Sequence, residues 1–469
     1  MFQECAPETS STIDLPVRFS PGQKYAAYSL NSRQQLIRLD LTSCQKQVVI
    51  GTMSAYQTAG DMCINDAGVV LFSGASATQS GVFQINADNT IQPAVPIGQI
   101  PAGTVTYADS PNFSRDGSWA AISGVLNNNY VVPLYKVADG TSTILYKTSS
   151  QTSYFQTGLY GAEASCIYGY IGSYSSAVWA LGCLDLQGVV TNLVEPNPTL
   201  NGVQYPLARD GVIGGQLAAS NYGVVMAAPE PTTPSAGSIT PVDLLLYSKG
   251  SNESSVLLRS EDIAPLEVTE DSTLSADPHG RTVVDVRSAA YGSQFRSAIY
   301  LLDPGDNAAP QMIAGPGLVP FPEDTNPLLF NPGIGNGQVS FLETDSSGNS
   351  IVKFTSSTPY ILVGGIGRST DGAPVVTPGG WFTIYAFSGA RCTEQPSYAN
   401  GFPTSGCVDQ SNALPTTVSV NGRAAALSYV SPGQINAQVP WETAIGEATV
   451  NVTVGTAQNV GTEPFRSFQ

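Results

Sequence analysis

Phe113-Ser114-Arg115-Asp116-Gly117-Ser118-Trp119-Ala120-Ala121-Ile122-Ser123 is the stretch on which the reading of this chain turns. A small polar residue, an Asp-Gly turn and a run of small and apolar residues describe a tight hairpin feeding a buried strand. Glycine suits the turn because it adopts positive φ without steric penalty. The unit recurs as Phe19-Ser20-Pro21-Gly22-Gln23-Lys24-Tyr25-Ala26-Ala27-Tyr28-Ser29 and as Cys63-Ile64-Asn65-Asp66-Ala67-Gly68-Val69-Val70-Leu71-Phe72-Ser73, with weaker copies centred on Gly223, Gly280 and Gly337. Successive turn glycines lie 46 residues apart (22 to 68), 49 (68 to 117), 106 (117 to 223), 57 and 57. The doubled interval predicts one degenerate unit near Gly169 or Gly172, hence seven units.

An alternating strand follows each unit: Gln35 to Thr42, Gly81 to Ala87, Tyr130 to Ala138, Ala177 to Gln187, Val242 to Lys249, Ala298 to Pro304 and Ile351 to Ser356. Most of these lead to a further short apolar run, such as Gln47 to Ile50 or Ser255 to Leu258. Four antiparallel strands every roughly 40–50 residues make a propeller blade. The expected fold is all-β: a β-propeller of about seven blades over residues 1–357, then a small immunoglobulin-like β-sandwich over 358–469. The Phe-Ser-x-Asp-Gly-x-Trp-Ala-Ala pattern resembles the propeller repeat of the Tol–Pal periplasmic protein and its relatives.

The pattern changes from about Tyr360. Pro374 to Tyr385 reads as a turn entering a buried strand, and Val418 to Ala425 as a strand entering an Asn421-Gly422 hairpin. Then comes Tyr429-Val430-Ser431-Pro432-Gly433-Gln434-Ile435-Asn436-Ala437-Gln438-Val439-Pro440-Trp441-Glu442, and Ala448 to Val454 alternates as a final strand. Several short antiparallel strands within about 100 residues suggest an immunoglobulin-like sandwich. Residues 366–455 closely resemble the C-terminal domain of exported proteins of Solibacter-type acidobacteria, carried by the Tyr429–Glu442 run and by Leu414-Pro415-Thr416-Thr417. The resemblance implies export and an accessory module, and brings no catalytic residues with it.

Composition narrows the function. Only 12% of the 469 residues are charged, while Gly (47) and Pro (33) are plentiful. The net charge of −17 repels phosphate backbones and anionic lipid, so nucleic-acid and membrane-surface binding are excluded as expectations. No stretch approaches ~18 continuous apolar residues, so no transmembrane helix is expected. Seven cysteines and a single histidine contain no CxxC and no zinc signature. Candidate disulfides are Cys392 with Cys407, flanking a Gly/Pro/Ser-rich stretch, and Cys166 with Cys183, on neighbouring strands of one blade, each worth about 3 kcal/mol in the chain-entropy model. Among Cys5, Cys44 and Cys63 any pairing leaves one thiol over, with Cys44 and Cys63 kept as candidates. Disulfides imply an oxidising compartment, extracellular or cell-surface first and periplasmic second. No signal peptide is visible at Met1-Phe2-Gln3-Glu4-Cys5, which reads as a mature or trimmed start.

The residues offer little reaction chemistry. His279, in the turn Asp277-Pro278-His279-Gly280, is the only histidine, so no Ser-His-Asp or Cys-His pair forms without it. Paired carboxylates could hydrolyse glycosides without histidine, and Asp109, Asp116, Glu163, Asp210, Glu270, Asp271, Asp277 and Glu343 lie at loop-like positions. No cofactor is called for, although calcium suits such acidic loops. Tyr154, Tyr160, Tyr168, Tyr170 and Tyr174 either pack between blades or stack on a ligand. Pro229 to Pro241 reads as a surface loop. The expected function is a secreted or cell-surface, non-enzymatic binding, adhesive or self-assembling role, with carbohydrate, protein or another copy as partner. The alternatives are a carboxylate-based glycosidase or lyase and a periplasmic interaction propeller.

Overall fold

Leu244, Leu245, Leu246 and Tyr247 are all buried on one strand, yet not in one core: Leu244 and Leu246 belong to one apolar cluster, Leu245 and Tyr247 to another. Successive side chains leave opposite faces of a strand. A strand buried on both faces therefore sits in a sheet sandwiched between two others. The computed structural model shows this arrangement around a ring. It describes residues 2–5, 13–51, 55–100, 103–147, 153–163, 165–173, 178–205, 207–209, 212–213, 217–229, 242–264, 266–269, 272–278, 280–288, 297–304, 310–315, 328–335, 338–344, 349–355, 360–370, 376–387, 405–408, 415–430, 434–454, 457–459 and 464–467.

Seven antiparallel sheets follow one another. Blade 1 spans Ile13–Phe19 to Lys46–Ile50, blade 2 Tyr56–Ile64 to Ile91–Pro96, and blade 3 Gly103–Phe113 to Thr141–Lys147 with Gly98–Ile100 added at its inner edge. Blade 4 runs from Ser153–Glu163 to Val190–Val194, and blade 5 from Leu217–Ala219 to Glu253–Leu258. Blade 6 runs from Leu266–Glu267 and Leu274–Ala276 to Gln311–Ala314. Blade 7 takes three strands from Leu328–Gly335, Gln338–Thr344 and Ser350–Thr355. Its fourth and outermost strand is Phe2–Glu4, antiparallel to Lys353–Thr355. The two ends of the ring thus share a sheet. Apolar clusters join each blade to the next, and the cluster of Val17, Phe19, Tyr28, Leu342, Val352 and Phe354 joins blade 7 to blade 1. The fold is all-β, a closed seven-bladed propeller. The helical structure among the described residues is one 3-10 turn, Ser260–Ile263, and no described helix is long and apolar enough to cross a membrane.

The repeated motif is the turn between the first and second strands of a blade. Its polar residue caps that turn: Ser20 Oγ accepts from the Lys24 and Tyr25 amides, Asn65 Oδ1 from those of Ala67 and Val69, and Asp277 Oδ1 from that of Arg281. In blades 2, 3 and 6 the glycine adopts positive φ, +76° at Gly68, +70° at Gly117 and +93° at Gly280. In blade 1 the left-handed position falls to Gln23, φ +56°, and in blade 5 Gly223, at the same offset from Ser220, is already the first residue of a strand. Neighbouring turns touch. A Cβ at Gly117 would lie 2.8 Å from the Asn65 side chain, whose Nδ2 donates to the Gly117 carbonyl. Gly117→Ala is therefore expected to lower stability by about 1–2 kcal/mol, measured by denaturant unfolding; an unchanged midpoint would show that the turns are not in register.

Blade 4 lacks the glycine turn that the repeat spacing places there. Gly169 and Gly172 pair across to Gly182 and Trp179 in mid-strand, and the first two strands of the blade end at Glu163 and begin again at Cys166, which pair with each other. Cys166 and Cys183 are bonded on the second and third strands of this blade. Cys44 is bonded to Cys5, so Cys63 is not its partner and is a free thiol. The Cys5–Cys44 bridge ties the closing strand of blade 7 to the loop before the outer strand of blade 1. Cys392 lies outside the described residues, as do Asp210, Glu270, Asp271, His279, Tyr174 and residues 230–241.

The C-terminal strands form two facing sheets around one core that includes Phe382, Ile384, Val418, Leu427, Ile435 and Val450. One sheet has the order Tyr360–Arg368, Trp381–Phe387, Gln434–Gln438, Ala426–Val430. The other pairs Pro415–Val420 with Gly446–Val454, and Gly446–Val454 with Ala457–Asn459 and Pro464–Ser467. Ser405–Val408 adds an edge strand beside Pro415–Val420.

Candidate functional site

The innermost strand of a propeller blade borders the axis, and here most of these strands carry a bulge. Register shifts fall between Asp14 and Arg18, Thr58 and Met62, Asp109 and Asn112, Thr157 and Ala162, and Phe330 and Gly333. Pro16, Pro111 and Pro332 lie within three of them, where a missing N–H costs no ladder bond. A bulge re-aims the side chains beside it, and two bulge residues use this to reach neighbouring blades. Asn331, φ +47°, accepts from the Val17 amide of blade 1 at 3.1 Å and donates to Thr273 Oγ1 of blade 6 at 3.0 Å. Ser110, φ +51°, donates to Asp61 Oδ2 of blade 2 at 2.8 Å.

Asp109 and Asp61 are thus brought together on adjacent innermost strands. The Ser110 amide donates to Asp109 Oδ1 at 2.7 Å, and the exposed Tyr107 donates its hydroxyl to Asp109 Oδ2 at 3.2 Å. Burial and the neighbouring Asp109 carboxylate push the Tyr107 phenol up to about 12, which keeps it a hydrogen donor.

At the end of the axis beside the repeated turns lies a pocket of about 50 Å³. Its walls come from blades 1, 2, 3, 6 and 7 through Arg18, Gln23, Cys63, Asn112, Arg115 and Ser275, with Phe19, Ile64, Phe113 and Ile334 as apolar contacts. Arg115 is the variable residue of the Ser-x-Asp-Gly turn. Its Nη2 crosses the axis to the Ala219 carbonyl of blade 5 at 2.6 Å and the Ala276 carbonyl of blade 6 at 3.1 Å. Arg18, Gln23, Asn112 and Ser275 are buried there. Gln23 Nε2 donates to the Ser20 carbonyl at 3.1 Å, whereas its Oε1 is buried with no hydrogen-bond partner among the described residues. Burial pushes the Cys63 thiol far up, so it is a neutral thiol and not a nucleophilic thiolate.

Most of the acids singled out from sequence serve the scaffold. Burial works to raise the Asp116 carboxyl, but hydrogen bonds from Ser114 and Ser118 outweigh it and hold the group below its usual value. Asp277 and Arg281 form a fully buried ion pair at 2.7 Å, and Glu343 pairs with Lys353 at 2.7 Å. Among the described acids chosen from sequence, Asp109 is the one that reaches a candidate site; the backbone of Glu163 pairs with Cys166, and its side chain is outside what is described. Tyr168 and Tyr170 pack between blades 4 and 5. No three His, Cys, Asp or Glu converge on a metal position among the described residues.

Asp285 is a fully buried acid whose carboxyl is strongly perturbed. Burial pushes it up to about 6 although Arg287 opposes the shift, and it accepts from the Thr273 amide where the inner strand of blade 6 is interrupted. A folded-state value above the unfolded 3.8 means that the folded chain binds more protons between about pH 4 and 6. This contribution favours folding below pH 4 and is lost as pH rises through 6. Asp285→Asn is expected to flatten the stability–pH curve in that window, read by thermal unfolding from pH 4 to 7; an unaltered curve would contradict the assignment.

No family model and no curated protein sequence matches the chain. Among solved structures it is similar to an oligogalacturonate lyase from Vibrio parahaemolyticus, at 8% identity over 76% of this chain and 96% of that chain, with a TM-score of 0.47. It is similar also to TolB from Acinetobacter baumannii, at 9% identity over 74% and 79%, TM-score 0.33. The β-propeller domain of the Trilobed protease from Pyrococcus furiosus aligns at 8% identity over 97% and 96%, TM-score 0.35. These likenesses to other propellers transfer no function, and the ring itself rests on the strand order and the inter-blade cores above.

Proposed function

We propose that the chain is an exported, non-catalytic binding protein whose ligand enters the axial pocket beside the repeated turns. The observation that carries this reading is the convergence of buried Arg18, Gln23, Asn112 and Ser275, from three blades, around an axis crossed by Arg115. Buried polar side chains that converge with apolar walls are the usual make-up of a small-ligand site. The Cys5–Cys44 and Cys166–Cys183 bonds support an oxidising compartment. The ligand belongs to the cell surface, a carbohydrate or a protein. The C-terminal sandwich serves as an immunoglobulin-like accessory module of the acidobacterial exported type. Its Trp441, 73% exposed and set against Gly379, offers a second contact.

The test is to probe glycan and peptide arrays with the oxidised full-length chain, then to assay each ligand found for turnover. Binding without turnover is expected, and it should weaken at least ten-fold in Arg115→Leu; catalysis on a bound ligand would overturn the reading. A second reading, a carboxylate-based glycan-cleaving enzyme, is favoured by the Asp61–Ser110–Asp109 arrangement. It requires a turnover that Asp109→Asn abolishes while binding persists.

A further inference from the structure

We infer that the axial pocket recognises a carboxylate that carries a hydrogen-bond donor on the adjacent atom, as in a 2-hydroxy acid, a uronic acid or an N-acylated amino acid. The inference rests on the preceding reading that the pocket is the ligand site.

Two features of the lining lead to it. The charged residues in the described lining are both arginines, Arg18 and Arg115, in a chain whose formal charge is −17. Guanidinium groups are planar arrays of donors matched to a carboxylate. Held against the apolar walls of Phe19, Ile64, Phe113 and Ile334, their attraction for an anion is screened less than it would be at the surface.

The second feature is Gln23. Its amide nitrogen is fixed by the Ser20 carbonyl, and its Oε1 is a buried acceptor without a partner among the described residues. Burying an acceptor that stays unsatisfied is unfavourable, so such an atom marks where a donor belongs. Gln23 holds this place at positive φ, +56°, in the turn that gives glycine that conformation in blades 2, 3 and 6. Two cationic donors and one neutral acceptor in a pocket of about 50 Å³ suit a carboxylate with a hydroxyl or amide N–H beside it. A phosphodiester presents only acceptors and would leave Gln23 Oε1 unanswered.

The probes are acetate, glycolate and acetamide, titrated into the oxidised full-length chain by chemical-shift mapping. Glycolate is expected to bind with a Kd of about 1 mM. Acetate should bind about five-fold more weakly, for want of one hydrogen bond, and acetamide not measurably. Gln23→Met should remove the preference for glycolate over acetate while acetate binding persists, a change of selectivity that a merely structural role would not produce. Glucuronate and N-acetylglycine then separate the two sources, the tighter of them naming a sugar acid or a peptide C-terminus. Equal binding of acetamide, or no glycolate binding up to about 100 mM, overturns the inference in the wild-type chain without reliance on any variant. Should glycolate fail while an array ligand still binds and is lost in Arg115→Leu, the pocket reading stands and the carboxylate inference falls. Array binding that ignores Arg115→Leu removes the pocket reading itself.

Discussion

Replacing Cys5 or Cys44 by serine is expected to lower the stability of the oxidised chain by about 4 kcal/mol. The two residues are 39 apart, and closing a loop of that length in the unfolded chain accounts for this figure in the chain-entropy model. Position makes the effect more than a general one. Phe2–Glu4 is held by a short ladder to Lys353–Thr355, with the Cys5 amide donating to the Val352 carbonyl at 3.2 Å as a last rung. A three-residue edge strand is marginal without a covalent tie. Thermal unfolding should show the variant melting several degrees below the wild type. Hydrogen exchange should accelerate first at the amides of blade 7's outer ladder. A reductant added to the wild type should reproduce both changes. Equal melting of all forms would mean that the ring closes without its clasp.

Asp277→Ala is expected to destabilise by about 3–5 kcal/mol, because it leaves the buried Arg281 guanidinium without its counter-charge. The pair is almost fully enclosed, with a second hydrogen bond at 2.7 Å from Arg281 Nε to Asp277 Oδ2, and Asp277 Oδ1 also caps the blade 6 turn. Converting both residues together, Asp277→Asn with Arg281→Met, should recover most of the loss in urea unfolding, since the unpaired charge and not the missing attraction is the larger effect. If the single variant were as stable as the wild type, Asp277 would have to be reconsidered as a functional acid.

Much of the ring was legible because its signal is local. The polar residue, turn glycine and small-residue strand repeat at blade length, and the alternating strand after each unit lies within one or two residues of its observed place, as at Val242–Ser248 and Ser350–Thr355. What misled was the assumption that each turn needs its glycine. Blade 1 puts Gln23 in the left-handed position, and the first two strands of blade 4 meet at the Glu163–Cys166 pair, so the spacing rule displaced its turn onto mid-strand Gly169 and Gly172. The site was largely hidden. Acids at turns look alike in sequence whether they cap a hairpin, as Asp116 does, or reach the axis, as Asp109 does.

Arg115 stood within the motif that identified the propeller, but its carbonyl partners lie 104 and 161 residues away. Gln23 and Arg18 become neighbours of Asn112 and Ser275 only when the ring closes. The Cys5–Cys44 bond is likewise a product of closure, since the outer strand of the last blade comes from the start of the chain. Its nearest sequence hint was the odd cysteine among Cys5, Cys44 and Cys63.

The most direct test of the binding account is a crystal structure of the full-length oxidised chain with the tightest array ligand bound. The account predicts that ligand on the propeller axis, with Arg18 and Arg115 against an anionic group and Gln23 Oε1 accepting a hydrogen bond. A ligand seated on Trp441, or on the outer face of a blade with the axial pocket unchanged, would contradict it.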